Sequence, residues 1–220
     1  FIKQLENELS LKLEIISSAE EARLAVAGCI EIINRDIPYA LAFDIGGGST
    51  EVMWLRIKNN RVRLLEYISL PFGVVTLSET YGTYISTSKV YKEIQHKIQK
   101  ILVPFVQKNN VHILSKQKRM QIIGTSGTIT TLAAIYLNLK QYSRSAVDGL
   151  VLPIAKIHEI GDSLREMNYQ SLNPMRADLV VAGSAILEGI CDACPMEDYL
   201  MVADRGVREG ILLDFMLEYQ

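Results

Sequence analysis

The chain has 220 residues, 49% of them hydrophobic, and carries Lys+Arg 23 against Asp+Glu 25 for a net charge of -2. That length and apolar content allow a substantial core in one large domain, or one and a half, and the balanced charge excludes a polybasic nucleic-acid or anionic-membrane surface. No apolar run reaches the roughly 18 residues of a membrane span, and the start lacks the basic, apolar and small-residue order of a secretory leader, so a cytoplasmic protein is expected, with neither nucleic acid nor membrane as partner.

Phe1 to Leu9 has the spacing of an amphipathic helix end, and Leu13 to Ile16 that of a short strand. Ser17-Ser18-Ala19-Glu20-Glu21-Ala22-Arg23 then leads into a helix reaching about Ile33. Ser17 with Glu20, and Ser18 with Glu21, both fit a capping box, and on spacing alone capping is the simpler role for either glutamate. After Pro38 come two strands, Tyr39 to Ile45 and Ser49 to Lys58, and Asn59-Asn60 provides a tight turn into a third, Arg61 to Leu70.

Between the first two strands lies Asp44-Ile45-Gly46-Gly47-Gly48-Ser49-Thr50-Glu51. Without Cβ atoms, Gly46, Gly47 and Gly48 can adopt positive φ and let an anion approach their N–H groups, to which Ser49 and Thr50 add hydroxyl donors. Asp44 and Glu51 are hard oxygen ligands suited to a Mg²⁺ accompanying a phosphate chain. A bare run of three glycines is more often an ordinary turn; the flanking carboxylates and hydroxyls favour a phosphate-and-metal loop.

Further on, Gly73 to Thr80 predicts a short helix and Lys89 to Gln107 a long one, with Ile94, Ile98, Ile101 and Phe105 as its core stripe. Met120 to Gly124 is a fourth strand, and Gly127-Thr128 opens a helix through Leu137. Gly124-Thr125-Ser126-Gly127-Thr128 thus sits where a strand ends and a helix begins, a second place for an anion. Val147 to Val151 has no clear pattern. Pro153 to Met167 and Met175 to Cys191 predict helices, Tyr199 to Ala203 a fifth strand, Asp204-Arg205-Gly206 its turn, and Val207 to Leu217 a closing helix. Three cysteines, an odd number, argue against a disulfide framework, and the lone C-x-x-C of Cys191 and Cys194, with no His nearby in sequence, is expected to be chance spacing at a helix end.

The succession from Tyr39 predicts an α/β fold, a five-stranded mixed sheet flanked by helices, and resembles one lobe of the ribonuclease H-like, actin-like ATPase type. More specifically, the chain resembles the exopolyphosphatase and guanosine pentaphosphate phosphohydrolase (Ppx/GppA) family. The residues carrying the likeness are Ile16-Ser17 leading to Glu20-Glu21-Ala22-Arg23, Asp44 to Glu51, Gly124 to Thr128, Arg176-Ala177-Asp178, and Asp204-Arg205-Gly206-Val207-Arg208-Glu209-Gly210. The resemblance implies that Glu21 is the general base activating water and that Asp44 and Glu51 contact Mg²⁺. It makes Gly46, Gly47, Gly48, Ser49, Gly127 and Thr128 the phosphate cradle, with Arg23, Thr50 and Ser126 as weaker candidates. Its expected substrates are inorganic polyphosphate and guanosine penta- or tetraphosphate, and it leaves room for a homodimer.

Members of that family carry an earlier lobe opening with an Asp-x-Gly-Ser/Thr-Asn-Ser phosphate loop, which has no match here. Residues 1–37 are therefore expected to be a remnant of the first lobe, without sheet partners of their own, and 38–220 the second lobe, with the last helix packing back toward the first. Two other functions stay open: an ATPase or kinase of the same superfamily, and a non-catalytic module binding a phosphate chain or alarmone.

Overall fold

Alternation along Tyr39–Ile45 sets the frame of the fold: Leu41 and Phe43 point to one side of the strand, Ala40 and Ala42 to the other, and all four are buried. In this computed structural model, which describes residues 2–10, 12–166, 174–194 and 199–218, that strand (β1) pairs antiparallel with β2 (Thr50–Lys58), and β2 with β3 (Arg61–Leu70). Asn59 and Asn60, both at positive φ (51° and 60°), make the two-residue turn between the latter pair.

β4 (Met120–Thr125) joins the other side of β1 in parallel, β6 (Tyr199–Ala203) runs parallel to β4, and β5 (Val151–Pro153) pairs antiparallel with β6, giving the order β3-β2-β1-β4-β6-β5. Among the described residues the sheet therefore has six strands where five are expected. The extra one, three residues at the edge, is too short to leave a periodic signal. The expected strand Leu13 to Ile16 is not formed, and Ile15 is 83% exposed.

Helices cover both faces. α3 (Val74–Tyr81), α4 (Ser88–Lys108), α6 (Gly127–Tyr136), α8 (Ile154–Glu166) and α9 (Pro174–Ala193) pack over the Leu41 and Phe43 face, where Ile94 and Ile98 of α4 are fully buried. The short helices α5 (Val111–Lys116) and α7 (Arg144–Val147) are additions to the expected pattern. Cys191 and Cys194 lie in this core, burial raising both thiols, Cys194 to about 12, so the C-x-x-C serves packing.

The Ala40 and Ala42 face is covered by α2 (Ser18–Gly28) and α10 (Val207–Glu218), with Ala22, Ala25 and Val26 against Met53, Leu55 and Ile123. The two helices cross so closely that a Cβ on Gly28 would lie 2.0 Å from the Gly206 carbonyl oxygen, and one on Gly210 2.0 Å from that of Leu24. Within residues 1–37, expected to be without sheet partners, α2 is nonetheless part of the second core, and the last helix closes over it. Among the described residues, only α1 (Ile2–Leu9) buries nothing. The C-terminal ends of the parallel strands β1, β4 and β6 share one end of the sheet, where the strand order switches between parallel and antiparallel neighbours and crevices form.

Candidate functional site

The loop after β1 is closed by the Gly46 N–H donating to the Ser49 carbonyl at 2.9 Å. Its carbonyls are committed inward: Gly46 O accepts from Val74 N (3.0 Å), and Gly47 O from Val75 N (2.9 Å) and Thr76 N (3.2 Å), so the loop caps α3. The N–H groups of Gly47, Gly48 and Ser49, in contrast, meet no acceptor among the described residues. None of the three glycines has positive φ, contrary to expectation. What glycine provides here is open space: a Cβ on Gly48 would meet nothing within 4 Å, leaving the backbone approachable.

Because Asp44 of β1 is in register with Thr125 of β4, the loop after β4 emerges beside the glycine loop. Gly46, Gly47, Gly127 and Thr128 line one cavity of about 280 Å³, completed by Ile45, Val74, Thr131, Leu179 and Val180. The two loops that the sequence singles out for an anion are thus side by side. Thr128 itself is 8% exposed and its side chain packs against Gly183 of α9, so its nearer offering is backbone.

On the Ala42 face of the sheet, Asp44 and Glu51 are direct cross-strand partners, which in an antiparallel pair puts their side chains on one side. Glu51, 3% exposed, accepts hydroxyls from Ser49 and Ser69 on Oε1, both at 2.8 Å, leaving Oε2 without a donor among the described residues. Burial, then the charges of Glu51 and Glu21, push Asp44 up to about 6. Burial, then Glu51, likewise raise Glu21. Asp44 and Glu51 therefore sit side by side on β1 and β2, near enough to Glu21 at the start of α2 for the three to feel one another's charge. The capping reading of Glu21 falls away: Ser17 is the cap residue, its hydroxyl accepting from Glu20 N at 3.2 Å.

Three weaker candidates are placed otherwise or add something new. Arg23 grips Glu20 through Nε (2.9 Å) and pairs with Asp214 of α10, so it fastens two helices instead of facing the cleft. Thr50 is fully buried and donates to the Phe72 carbonyl at 2.7 Å. Ser126 lies beside Gly127, at φ 109° and ψ 169°. Of the Arg176-Ala177-Asp178 run, the side chains of Arg176 and Ala177 lie outside the described residues. Sequence reasoning missed Ser69 and Gly73 as parts of this site, neither of which has a distinctive neighbour in sequence.

Mg²⁺ fits this donor set. Asp44 and Glu51 offer hard oxygens that burden each other with like charge, a burden a cation would relieve, although no group of three acidic, His or Cys side chains among the described residues is placed to hold a metal ion. Mg²⁺ retains several waters and takes substrate phosphates, so it needs no such group.

A pH effect follows with a definite sign. Asp44 holds its proton more tightly in the folded chain, at about 6, than at its ordinary value of 3.8, so the folded state binds more protons between the two. Stability of the cation-free chain is then highest below pH 4 as far as Asp44 is concerned, and falls as pH rises through about 6, by on the order of 3 kcal/mol at most. Asp44→Asn is expected to remove this loss, raising the melting temperature at pH 7.5 but not at pH 4. Equal melting-temperature changes at both values would contradict it.

The geometry stands beside a broad set of likenesses. A model of the Ppx/GppA phosphatase family matches residues 1–219. The chain is 29% identical over 224 residues to the bifunctional 3-dehydroquinate synthase/phosphatase of Fusobacterium nucleatum, covering 97% of this chain and 32% of that protein. It is 24% identical over 215 residues to exopolyphosphatase 2 of Mycobacterium tuberculosis, covering 91% and 63%. The chain thus spans less than two thirds of either curated relative. Among solved structures, an Aquifex aeolicus Ppx/GppA family member superposes with TM-score 0.77 at 29% identity over 100% of this chain and 69% of that one. An exopolyphosphatase from Cytophaga hutchinsonii, at 22% identity and TM-score 0.79 over 98% and 69%, shares the fold. With the family match running from the first residue to the last helix, the chain belongs to the Ppx/GppA phosphatase family.

Proposed function

We propose that this chain supplies the phosphate cradle and general base for hydrolysis of a terminal phosphoanhydride, in inorganic polyphosphate or a guanosine penta- or tetraphosphate. The observation that carries the reading is the glycine loop, whose Gly46 and Gly47 carbonyls are spent on α3 and whose Gly47, Gly48 and Ser49 N–H groups are unclaimed among the described residues, beside Gly127. Those donors would hold the terminal phosphate, and being fixed by the α3 contacts they need no reorganisation as charge develops on its oxygens. Glu21 takes a proton from the attacking water; its raised pKa brings it nearer the working pH, where a base is both ionised and strong enough. The proton passes from Glu21 to solvent once phosphate departs. Asp44 and Glu51 would hold Mg²⁺, which supplies neutralisation of phosphate charge. Ser49 and Ser69 fix the Glu51 carboxylate in its orientation.

Long-chain polyphosphate and guanosine pentaphosphate, each with and without Mg²⁺, test the reading by phosphate release. Release that requires Mg²⁺ is the expected result, from this chain joined to a second lobe if one lobe leaves the cleft open to water. Binding of either compound without release from the joined protein would leave a binding module; a strong preference for ATP would make it an ATPase or kinase.

A further inference from the structure

A second cavity, also about 280 Å³, opens on the other side of Gly127 and is lined by Asp44, Ser126, Thr130, Arg205, Arg208 and Glu209 among others. The proposed reaction uses only its edge, at Asp44. Its charges are mostly spent. Arg205 donates to Asp148 at 2.8 Å and pairs with Glu31. Arg144, from α7, bonds Glu209 at 3.0 Å and the Asp204 carbonyl at 2.6 Å, and Tyr142 donates to Asp204 at 2.5 Å. Arg208 differs: it is exposed at the rim and forms no ion pair among the described residues.

Ser126 adds an independent sign. Its φ of 109° with ψ of 169° belongs to a region that is otherwise almost confined to glycine, and its Oγ is sealed from solvent without a hydrogen-bond partner among the described residues. A strained residue with an orphaned hydroxyl, on the wall of a cavity, is poorly explained by stability.

We propose that this cavity is a second anion subsite, in which Arg208 and Ser126 hold the phosphates behind the terminal one while the glycine loop holds the terminal phosphate. This rests on the proposed phosphoanhydride reading. An extended phosphate chain could then bridge Gly127 from one cavity to the next, and Arg208, the uncommitted cation, would supply charge-assisted bonds to it. Both sources of such a chain, inorganic or nucleotide, present the same anionic groups; tripolyphosphate and guanosine tetraphosphate distinguish them.

Calorimetric titration of the full 220-residue chain with orthophosphate, tripolyphosphate and guanosine tetraphosphate, in Mg²⁺, is the test. Arg208→Gln is expected to weaken tripolyphosphate binding about tenfold, the low end for a bond to a charged group at an exposed site, with orthophosphate unchanged and Arg208→Lys largely restoring affinity. An equal deficit with guanosine tetraphosphate assigns the subsite to either source; a deficit with one ligand assigns it to that source. Ser126→Gly is expected to relieve the strained backbone and raise the melting temperature by about 2–4 °C, yet weaken tripolyphosphate. Unchanged tripolyphosphate affinity in both variants, or equal losses for orthophosphate and tripolyphosphate, overturns the subsite alone. Absence of any phosphate binding by the unmodified chain overturns the proposed function with it.

Discussion

On the proposed mechanism, Glu21→Gln is expected to lower phosphate release from polyphosphate by ~10²- to 10⁴-fold in a protein that joins this chain to a second lobe, the usual worth of a general base, with substrate affinity roughly kept. The amide preserves shape and removes only the capacity to accept the proton. Capping is not disturbed, since the cap is made by Ser17 and the third helical position is Glu20. Burial and the Glu51 charge already disfavour the Glu21 carboxylate, so the neutral variant is expected to melt no lower than the parent at pH 7.5. Turnover near that of the parent, together with a lowered melting temperature, would return Glu21 to a structural role.

The second large effect is expected at a residue that touches no phosphate. A Cβ on Gly73 would lie 2.2 Å from the Gly47 carbonyl oxygen and 2.5 Å from the Gly48 carbonyl carbon, so Gly73→Ala must push the glycine loop away from the start of α3. The three loop carbonyl contacts to Val74, Val75 and Thr76 are then lost or stretched, and with them the fixed direction of the loop N–H groups. The expected cost is about 1–3 kcal/mol of stability, as for other overpacked sites, together with at least tenfold weaker orthophosphate binding. Orthophosphate titration combined with urea unfolding separates the two. Destabilisation with orthophosphate affinity intact would show that the α3 contact does not position the loop.

The course of the hairpin explains why Asp44 and Glu51 could be paired from sequence but Ser69 could not. Four residues separate the strands at the glycine loop, and a symmetrical closure places Asp44 opposite Glu51. The Asn59-Asn60 turn sets Lys58 against Arg61, and extending that register would bring Ile68, not Ser69, opposite Glu51. A bulge at Trp54/Leu55 shifts the ladder by one residue, and so delivers a hydroxyl where the plain register would deliver an isoleucine. Nothing in the local composition announces that bulge.

The chain's own pattern determined the meander, the strand-to-helix loop at Gly124 to Thr128 and the kinds of atom the site contains, because these depend on short-range periodicity and on residue chemistry. Family likeness singles out Glu21 from Glu20, whereas local spacing does not, since both glutamates satisfy the same capping pattern; in the fold the packing of Ala22 and Ala25 on the sheet brings Glu21 within reach of the Glu51 charge. Tertiary structure likewise turned Arg23 away to Asp214, closed α10 over α2, and committed the Gly46 and Gly47 carbonyls to α3. Each of these depends on contacts between segments far apart in the chain, where backbone approaches of a few ångströms decide what a local pattern leaves undecided.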